Sequence, residues 1–127
     1  MEYTVSFYAD ERVMYVKTVG EMTIEDWRGC SLEMDRQIRE RPHVVHVVVD
    51  MLDTPKHPTN ILELMTATVW AKSPDLGHIV HVTNDRLTSV LGTIVIQGLM
   101  GKYHAVGTRE KAFEYLYRMD PSLSHDG

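Results

Sequence analysis

The sequence predicts an α/β domain built around a mostly parallel sheet of five strands. Strand-like and helix-like segments alternate from residue 44 onward, a pattern that calls for crossover connections between parallel strands. The first two strand-like segments follow one another directly, so we expect them to form an antiparallel pair at one edge of the sheet. The expected order is ββαβαβαβα. A length of 127 residues favours a single domain, here residues 1–120, with a frayed tail at 121–127.

The first half of the pattern is set by β-branched runs and helix caps. Thr4–Tyr8 and Val13–Val19 have the composition of strands and are separated by a polar turn. Thr23 and Asp26 have the spacing of a capping box, which predicts the start of a helix. The buried face of that helix is expected to consist of Trp27, Cys30 or Ser31, Met34 and Ile38.

The second half repeats strand and helix three times. The valine-rich run Val44–Val49 predicts a central strand covered on both faces, and Asn60 can cap the helix after it. His78–Val82 predicts the next strand, followed by a helix that Asn84 caps. A short strand at Tyr103–Val106 and a last helix capped by Thr108 complete the expected fold.

The helix predicted from Asn84 to Met100 carries no charge between Leu87 and Gly101. A helical projection places six residues on a core-facing stripe: Leu87, Val90, Leu91, Ile94, Val95 and Gly98. The opposite side, where a surface helix normally carries charges, includes Ser89, Thr93, Ile96 and Met100. This outer face therefore needs an explanation: burial inside the domain, contact with a second subunit or partner, or the wall of a ligand pocket.

Composition and charge exclude several classes of protein. The net charge of −5 argues against general nucleic-acid binding, because the chain lacks a surplus of cations for phosphates. The uncharged run is shorter than the roughly 20 residues that span a bilayer, so no membrane span is predicted. One cysteine rules out an internal disulfide and favours a cytoplasmic protein. The histidines occur three apart on strands and face opposite ways, so we predict no metal site and no cofactor.

Polar residues follow the central strands, where ligands of open α/β sheets bind. This candidate ligand or regulatory loop comprises Asp50, Asp53, Thr54, His57, Thr59 and Asn84. The same residue types also serve as turns and helix caps, which is the alternative interpretation. We assign no catalytic residue and do not expect an enzyme, although Asp50, Asp53 and His57 are the residues through which proton transfer would occur.

The segment Gly20, Glu21, Met22, Thr23, Ile24, Glu25 and Asp26 lies between a strand and a helix. Together with the element order, it resembles the opening of stand-alone bacterial SpoIIAA-like proteins of the STAS and Sec14-like group. The resemblance covers nearly the whole chain and implies a SpoIIAA-like β/α superhelix. In anti-sigma factor antagonists of this group, a phosphorylatable serine follows the central strand. The matching segment, residues 50–60, has no serine, and its nearest hydroxyls are Thr54 and Thr59.

Two functions are consistent with these observations. The first is a non-enzymatic STAS-like regulatory module that forms a homodimer or binds a partner protein through the uncharged helix. The alternative is a protein that binds a small molecule or lipid in an apolar pocket near the carboxyl ends of the strands. We expect Trp70 and Met65 to line such a pocket, since methionine adapts to loosely shaped apolar ligands.

Overall fold

A computed structural model of the protein describes residues 1–99 and 101–123. Its five strands form one sheet in the order β1-β2-β3-β4-β5, with β1 antiparallel to β2 and the other pairs parallel. The strands are β1 Glu2–Tyr8, β2 Val13–Val19, β3 Val45–Asp53, β4 Leu76–Val82 and β5 Lys102–Val106. The predicted α/β class, the order ββαβαβαβα and the antiparallel edge strand are confirmed.

Within the described residues, four α-helices cover the two faces of the sheet unequally. They are α1 Ile24–Arg39, α2 Ile61–Ala67, α3 Arg86–Gly98 and α4 Arg109–Met119. The larger core cluster joins α1, α2 and α3 to one face, and the smaller cluster joins α4 to the other. In β3, the buried Val47 belongs to the first cluster and the adjacent Val48 to the second. The valine run is thus covered on both sides, as its composition predicts.

The turn from β2 into α1 uses a left-handed glycine and a capping box. Gly20 has φ +91°, a conformation that costs a glycine nothing, and its N–H donates to the carbonyl of Asp53 at 2.9 Å. Thr23 and Asp26 then cap α1 reciprocally. Trp27, Met34 and Ile38 are buried as predicted, and the alternatives Cys30 and Ser31 are both buried, so the capping box and the inner face are confirmed.

The helix α2 is shorter than expected. The sequence predicts one helix reaching to just before Pro74, but α2 ends at Ala67 and a 3-10 turn covers Val69–Lys72. Thr68 lies between them at φ −84° and ψ 58°, and its hydroxyl donates to the carbonyl of Leu64. This break lets Trp70 turn inward, where it is 1% exposed.

The orientation predicted for α3 is wrong for four of the six residues on its core-facing stripe, since Gly98 is exposed along with Leu87, Val90 and Ile94. Leu91 and Val95 are buried as expected, but Leu87, Val90 and Ile94 are 54%, 47% and 45% exposed. Ile96, assigned to the outer surface, is 5% exposed and packs in the main core. The buried side of α3 carries Thr88, Leu91, Val95 and Ile96, and Gly92 between them leaves room for Tyr103 of β5.

The other members of that predicted surface also lack the expected exposure. Ser89 and Thr93 are half-buried, and their hydroxyls donate to carbonyls of their own helix, those of Arg86 and Ser89. Met100 lies outside the described residues. The cap of α3 is Asp85 rather than Asn84, since the Asp85 carboxylate accepts the Leu87 N–H at 3.2 Å.

The expected fraying after residue 120 is wrong for the described part of the tail. Leu123 is 3% exposed in the smaller core cluster, and Arg12 donates to Ser122 and to Asp120. The chain is therefore packed against the sheet through residue 123. Residues 124–127 lie outside the described residues.

Candidate functional site

A cavity of about 80 Å³ lies between the sheet and the helices α1, α2 and α3. It occupies the main core and opens to solvent on one side. Most of its wall is apolar: Met22, Trp27, Val49, Met51, Pro58, Leu64, Trp70, Ile79, Leu91, Gly92, Val95 and Ile96. The polar side chains are His57, Thr68, His81, Thr88 and Tyr103. The described lining contains no Lys, Arg, Asp or Glu, so the site is suited to apolar groups.

The two tryptophans form one wall of this cavity. Their rings meet edge to face at 6.2 Å, an arrangement favoured for aromatic pairs. The indole N–H of Trp27 donates to Thr68 at 2.9 Å, and that of Trp70 donates to Ser31 at 3.2 Å. Thr68 in turn donates to the carbonyl of Leu64. Both indoles therefore present carbon surface to the cavity and have their polar atoms paired within the protein.

His81 and Tyr103 extend from β4 and β5 into the cavity wall. His81 Nε2 lies 2.9 Å from Sδ of Met51, which can only accept, so this nitrogen carries the proton. His81 Nδ1 then accepts from the Tyr103 hydroxyl at 2.8 Å. Burial, with a smaller contribution from the nearby charge of His57, lowers the pKa of His81 to about 4. The imidazole is neutral at pH 7, as this hydrogen-bond pattern requires.

Gly92 permits the close contact between α3 and Tyr103. A Cβ at this position would lie 2.3 Å from the Tyr103 hydroxyl oxygen and 2.6 Å from Cζ. No side chain fits that space without moving the ring. Gly92 thus determines how closely α3 approaches β5 and keeps the Tyr103 hydroxyl within reach of His81.

His57, Thr88 and Asp85 form a hydrogen-bonded chain at the cavity. Thr88 lies 2.6 Å from His57 Nε2 and donates to the Asp85 carboxylate at 2.7 Å. His57 Nδ1 lies 2.8 Å from the carbonyl of Pro58, which can only accept. All three bonds form together when both ring nitrogens of His57 donate. This chain ties the loop before α2 to the start of α3.

The structure separates the carboxylates of the predicted loop from His57. Asp50 is 3% exposed on the α4 face, where it accepts from the Tyr15 hydroxyl and lies 3.2 Å from Lys17. Lys17 also pairs with Asp53 at 2.8 Å. Burial and the bond to Asp50 raise the pKa of Tyr15. These carboxylates neutralise Lys17, while His57 belongs to the cavity on the other face.

The hydroxyl and amide residues of that loop do not converge either. Thr54 is 8% exposed and shares a 2.6 Å hydrogen bond with Thr18. Thr59 and Asn84 are exposed. The six predicted residues therefore divide into two carboxylates beside Lys17, one buried hydroxyl, one cavity residue and two surface residues.

Sequence patterns found only part of the cavity. Trp70 lines it as predicted, but Met65 is not among its lining residues: the Met65 methyl lies 3.2 Å from where a Cβ on Gly98 would be. Tyr103, His81 and Thr88 were missed as site residues because each is an ordinary strand or helix residue in the sequence. Successive side chains of a strand point to opposite faces of the sheet, and this alternation along β4 and β5 places His81 and Tyr103 on the same face. That pattern is the sequence signal that could have grouped the two residues.

Two searches of the described residues bear on other kinds of site. None of the helices there is both long enough and apolar enough to cross a bilayer. Across the same residues, no group of three or more His, Cys, Asp or Glu side chains is placed to hold a metal ion. Cys30 is fully buried, and burial raises the pKa of its thiol to about 12.

No protein-family model matches this sequence, and no curated protein does. Among solved structures, it is similar to the crystal structure of an uncharacterised protein of the DUF3478 family, with a SpoIIAA-like fold, from Shewanella loihica PV-4. The similarity has a TM-score of 0.65, covers 91% of this chain and 92% of that one, and has 10% sequence identity. The protein has a SpoIIAA-like fold, and the predicted resemblance is confirmed at the level of fold.

Proposed function

We propose that this protein is a non-enzymatic STAS-like module that binds a small apolar ligand in the cavity between the sheet and α1, α2 and α3. The observation that carries the proposal is the cavity itself, which has a volume of about 80 Å³ in the main core and a mostly apolar wall. An unfilled space of this kind costs stability, because its lining atoms lose dispersion contacts. A ligand that fills it regains those contacts.

The polar side chains of the cavity support binding over catalysis. His57, Thr88 and Asp85 are paired with one another, and His81 is paired with Tyr103 and Met51. A catalytic acid or base must reach a substrate proton, and these groups are already occupied by neighbouring atoms.

A native mass spectrum of the gently purified protein tests this function. We expect an added mass in the wild-type protein and its loss in Val95→Phe, which fills the cavity from α3. Ile94→Phe is the matched control, since Ile94 is an exposed neighbour on the same helix and this variant should retain the added mass. An added mass that survives Val95→Phe in a folded protein would contradict binding in this cavity.

A second function, homodimer formation, is favoured by the exposed stripe of α3. Leu87, Val90 and Ile94 are each at least 45% exposed, and Leu62 on the adjoining helix α2 is 76% exposed. The stripe is uncharged, so two copies related by a two-fold axis would bury it without opposing like charges. This stripe takes the place of the surface first predicted around Ile96.

Light scattering coupled to size-exclusion chromatography distinguishes a monomer from a homodimer. We expect a dimer for the wild-type chain and a folded monomer for Ile94→Glu, because an interfacial carboxylate would be buried without a partner. The control Leu32→Glu introduces the same charge at an exposed leucine of α1, outside the stripe of α3. A wild-type monomer at high concentration would contradict dimer formation.

A further inference from the structure

We infer that the cavity binds the alkyl or aryl part of an uncharged ligand and discriminates against a carboxylate of the same size. This inference rests on the function proposed above and names the class of ligand. It follows from the hydrogen-bond partners that the side-chain donors lining the cavity already have within the described residues.

Four of the side-chain donors that line the cavity already donate to acceptors within the protein. The indole N–H groups of Trp27 and Trp70 donate to hydroxyl oxygens, and the Tyr103 hydroxyl donates to His81. His81 uses its own proton on Met51. A carboxylate has only acceptor atoms, so it would find no free side-chain donor there. Burying an unpaired carboxylate is strongly unfavourable.

His57 and Thr88 do not change this conclusion. The two nitrogens of His57 lie within hydrogen-bond distance of the Pro58 carbonyl oxygen and the Thr88 hydroxyl, and that hydroxyl donates a hydrogen bond to Asp85. A carboxylate ligand at His57 would displace Thr88 and lie near the carboxylate of Asp85. Both ring nitrogens of His57 are therefore already engaged by atoms of the protein.

An uncharged ligand meets no such penalty. Buried polar side-chain atoms without a partner occur in the described residues at Asp35 and Arg41, and neither lines the cavity. An apolar cavity without unpaired polar groups offers water few hydrogen bonds and accepts apolar guests. Tyr103 retains an oxygen lone pair that can accept one hydrogen bond, so a single hydroxyl on the ligand is tolerated.

The test uses xenon, 1-hexanol and hexanoate as probes, with the indole N–H signals of Trp27 and Trp70 as readout in NMR titrations. These are the two tryptophans of the chain, and both line the cavity. Xenon reports whether the cavity accepts any apolar guest. Hexanol and hexanoate have the same chain length and differ in the charge and donor capacity of the head group.

We expect xenon and hexanol to shift both indole signals, with hexanol binding at least about tenfold more tightly than hexanoate at pH 7. Val95→Phe should abolish both shifts, and Ile94→Phe should preserve them. Leu91→Phe is the second filling variant, used if Val95→Phe does not fold. Xenon binding combined with equal or tighter binding of hexanoate would overturn this inference while leaving the proposed function intact. Failure of xenon and of both hexyl probes would overturn the proposed function as well.

Discussion

At the scale of single residues, His81 is the buried titratable group with the clearest consequence for stability. It is 8% exposed, and its two nitrogens are held by Tyr103 and Met51. Protonation would place a charge in the apolar core and remove the acceptor that Tyr103 uses. Burial therefore makes the folded protein resist protonation of this ring at pH values where the unfolded chain accepts a proton.

We expect the free energy of unfolding to fall as the pH drops from about 6.5 to about 4. In the folded state the pKa of His81 is lowered to about 4, so the unfolded chain binds more protons throughout this range. At 1.36 kcal/mol per pH unit, the full loss is about 3 kcal/mol. Burial also lowers the pKa of His78, which adds to the loss in the same direction.

Urea unfolding at pH 7 and pH 5 checks this prediction. His81→Gln should show a clearly smaller pH-dependent loss than the wild type, whatever its stability at pH 7. His104→Gln removes an exposed histidine from β5 and serves as the control. An unchanged pH dependence in His81→Gln would show that other groups cause the acid loss.

Substitution of alanine for glycine should have opposite effects on stability at two helical positions. Gly92→Ala should destabilise the protein by about 1–3 kcal/mol, because the new methyl group overlaps the Tyr103 hydroxyl. Gly29→Ala should stabilise it by about 1 kcal/mol, since nothing lies within 4 Å of the added Cβ and alanine favours the helix. Thermal unfolding of both variants measures the two shifts. Equal effects would mean that the contact with Tyr103 is not tight.

At the scale of elements, α3 is the helix whose orientation shapes both candidate functions. Its inner face carries Leu91, Val95 and Ile96 into the cavity wall, and its outer face exposes Leu87, Val90 and Ile94. Both sets are apolar, so hydrophobicity alone does not distinguish inside from outside. Gly92 determines which face of α3 is buried, because its lack of a side chain lets Tyr103 approach the helix.

Truncation of neighbouring isoleucines distinguishes the two faces of α3. Ile96→Ala should cost about 2–5 kcal/mol, as expected for a buried isoleucine. Ile94→Ala should cost less than about 1 kcal/mol, because nearly half of the side chain is already in water. Urea unfolding at low protein concentration gives both values. A larger loss for Ile94→Ala would restore the originally predicted orientation.

At the scale of the whole molecule, Asp120 joins the end of α4 to the turn between β1 and β2 and to β3. Its carboxylate accepts from Arg12 at 2.8 Å, from His46 at 2.9 Å and from Ser122. The hydrogen bonds of Ser122 and His46 lower the pKa of Asp120 to about 2. Its contribution to stability is therefore complete above the usual aspartate range and is lost as the pH falls toward 2, below the range in which His81 acts.

Asp120→Ala should destabilise the protein by about 1–3 kcal/mol, since it leaves the buried Nε2 of His46 without its partner. Glu114→Ala, an exposed carboxylate on the same helix, is the control and should change stability by less than about 0.5 kcal/mol. Unfolding followed by circular dichroism measures both. Equal stability of the two variants would show that the hydrogen bonds of the Asp120 carboxylate do not stabilise the fold.

The sequence by itself determined the α/β class, the order of the elements, the caps at Thr23 and Thr108 and the inner face of α1. Each of these depends on residues a few positions apart, where hydrogen bonding and periodicity act locally. The inner face of α1 could be predicted because charged residues occupy its other sides and leave one side that can be buried.

Only the tertiary structure decided which face of α3 is buried, where the cavity lies and how the polar loop divides. Asp50 and His57 are close in sequence, yet they lie on opposite faces of the sheet with Lys17 and Thr88 as partners. His81 and Tyr103 meet because β4 and β5 are neighbours in register. Such contacts depend on packing between distant segments, and an apolar helix without charges gives no local indication of its partner.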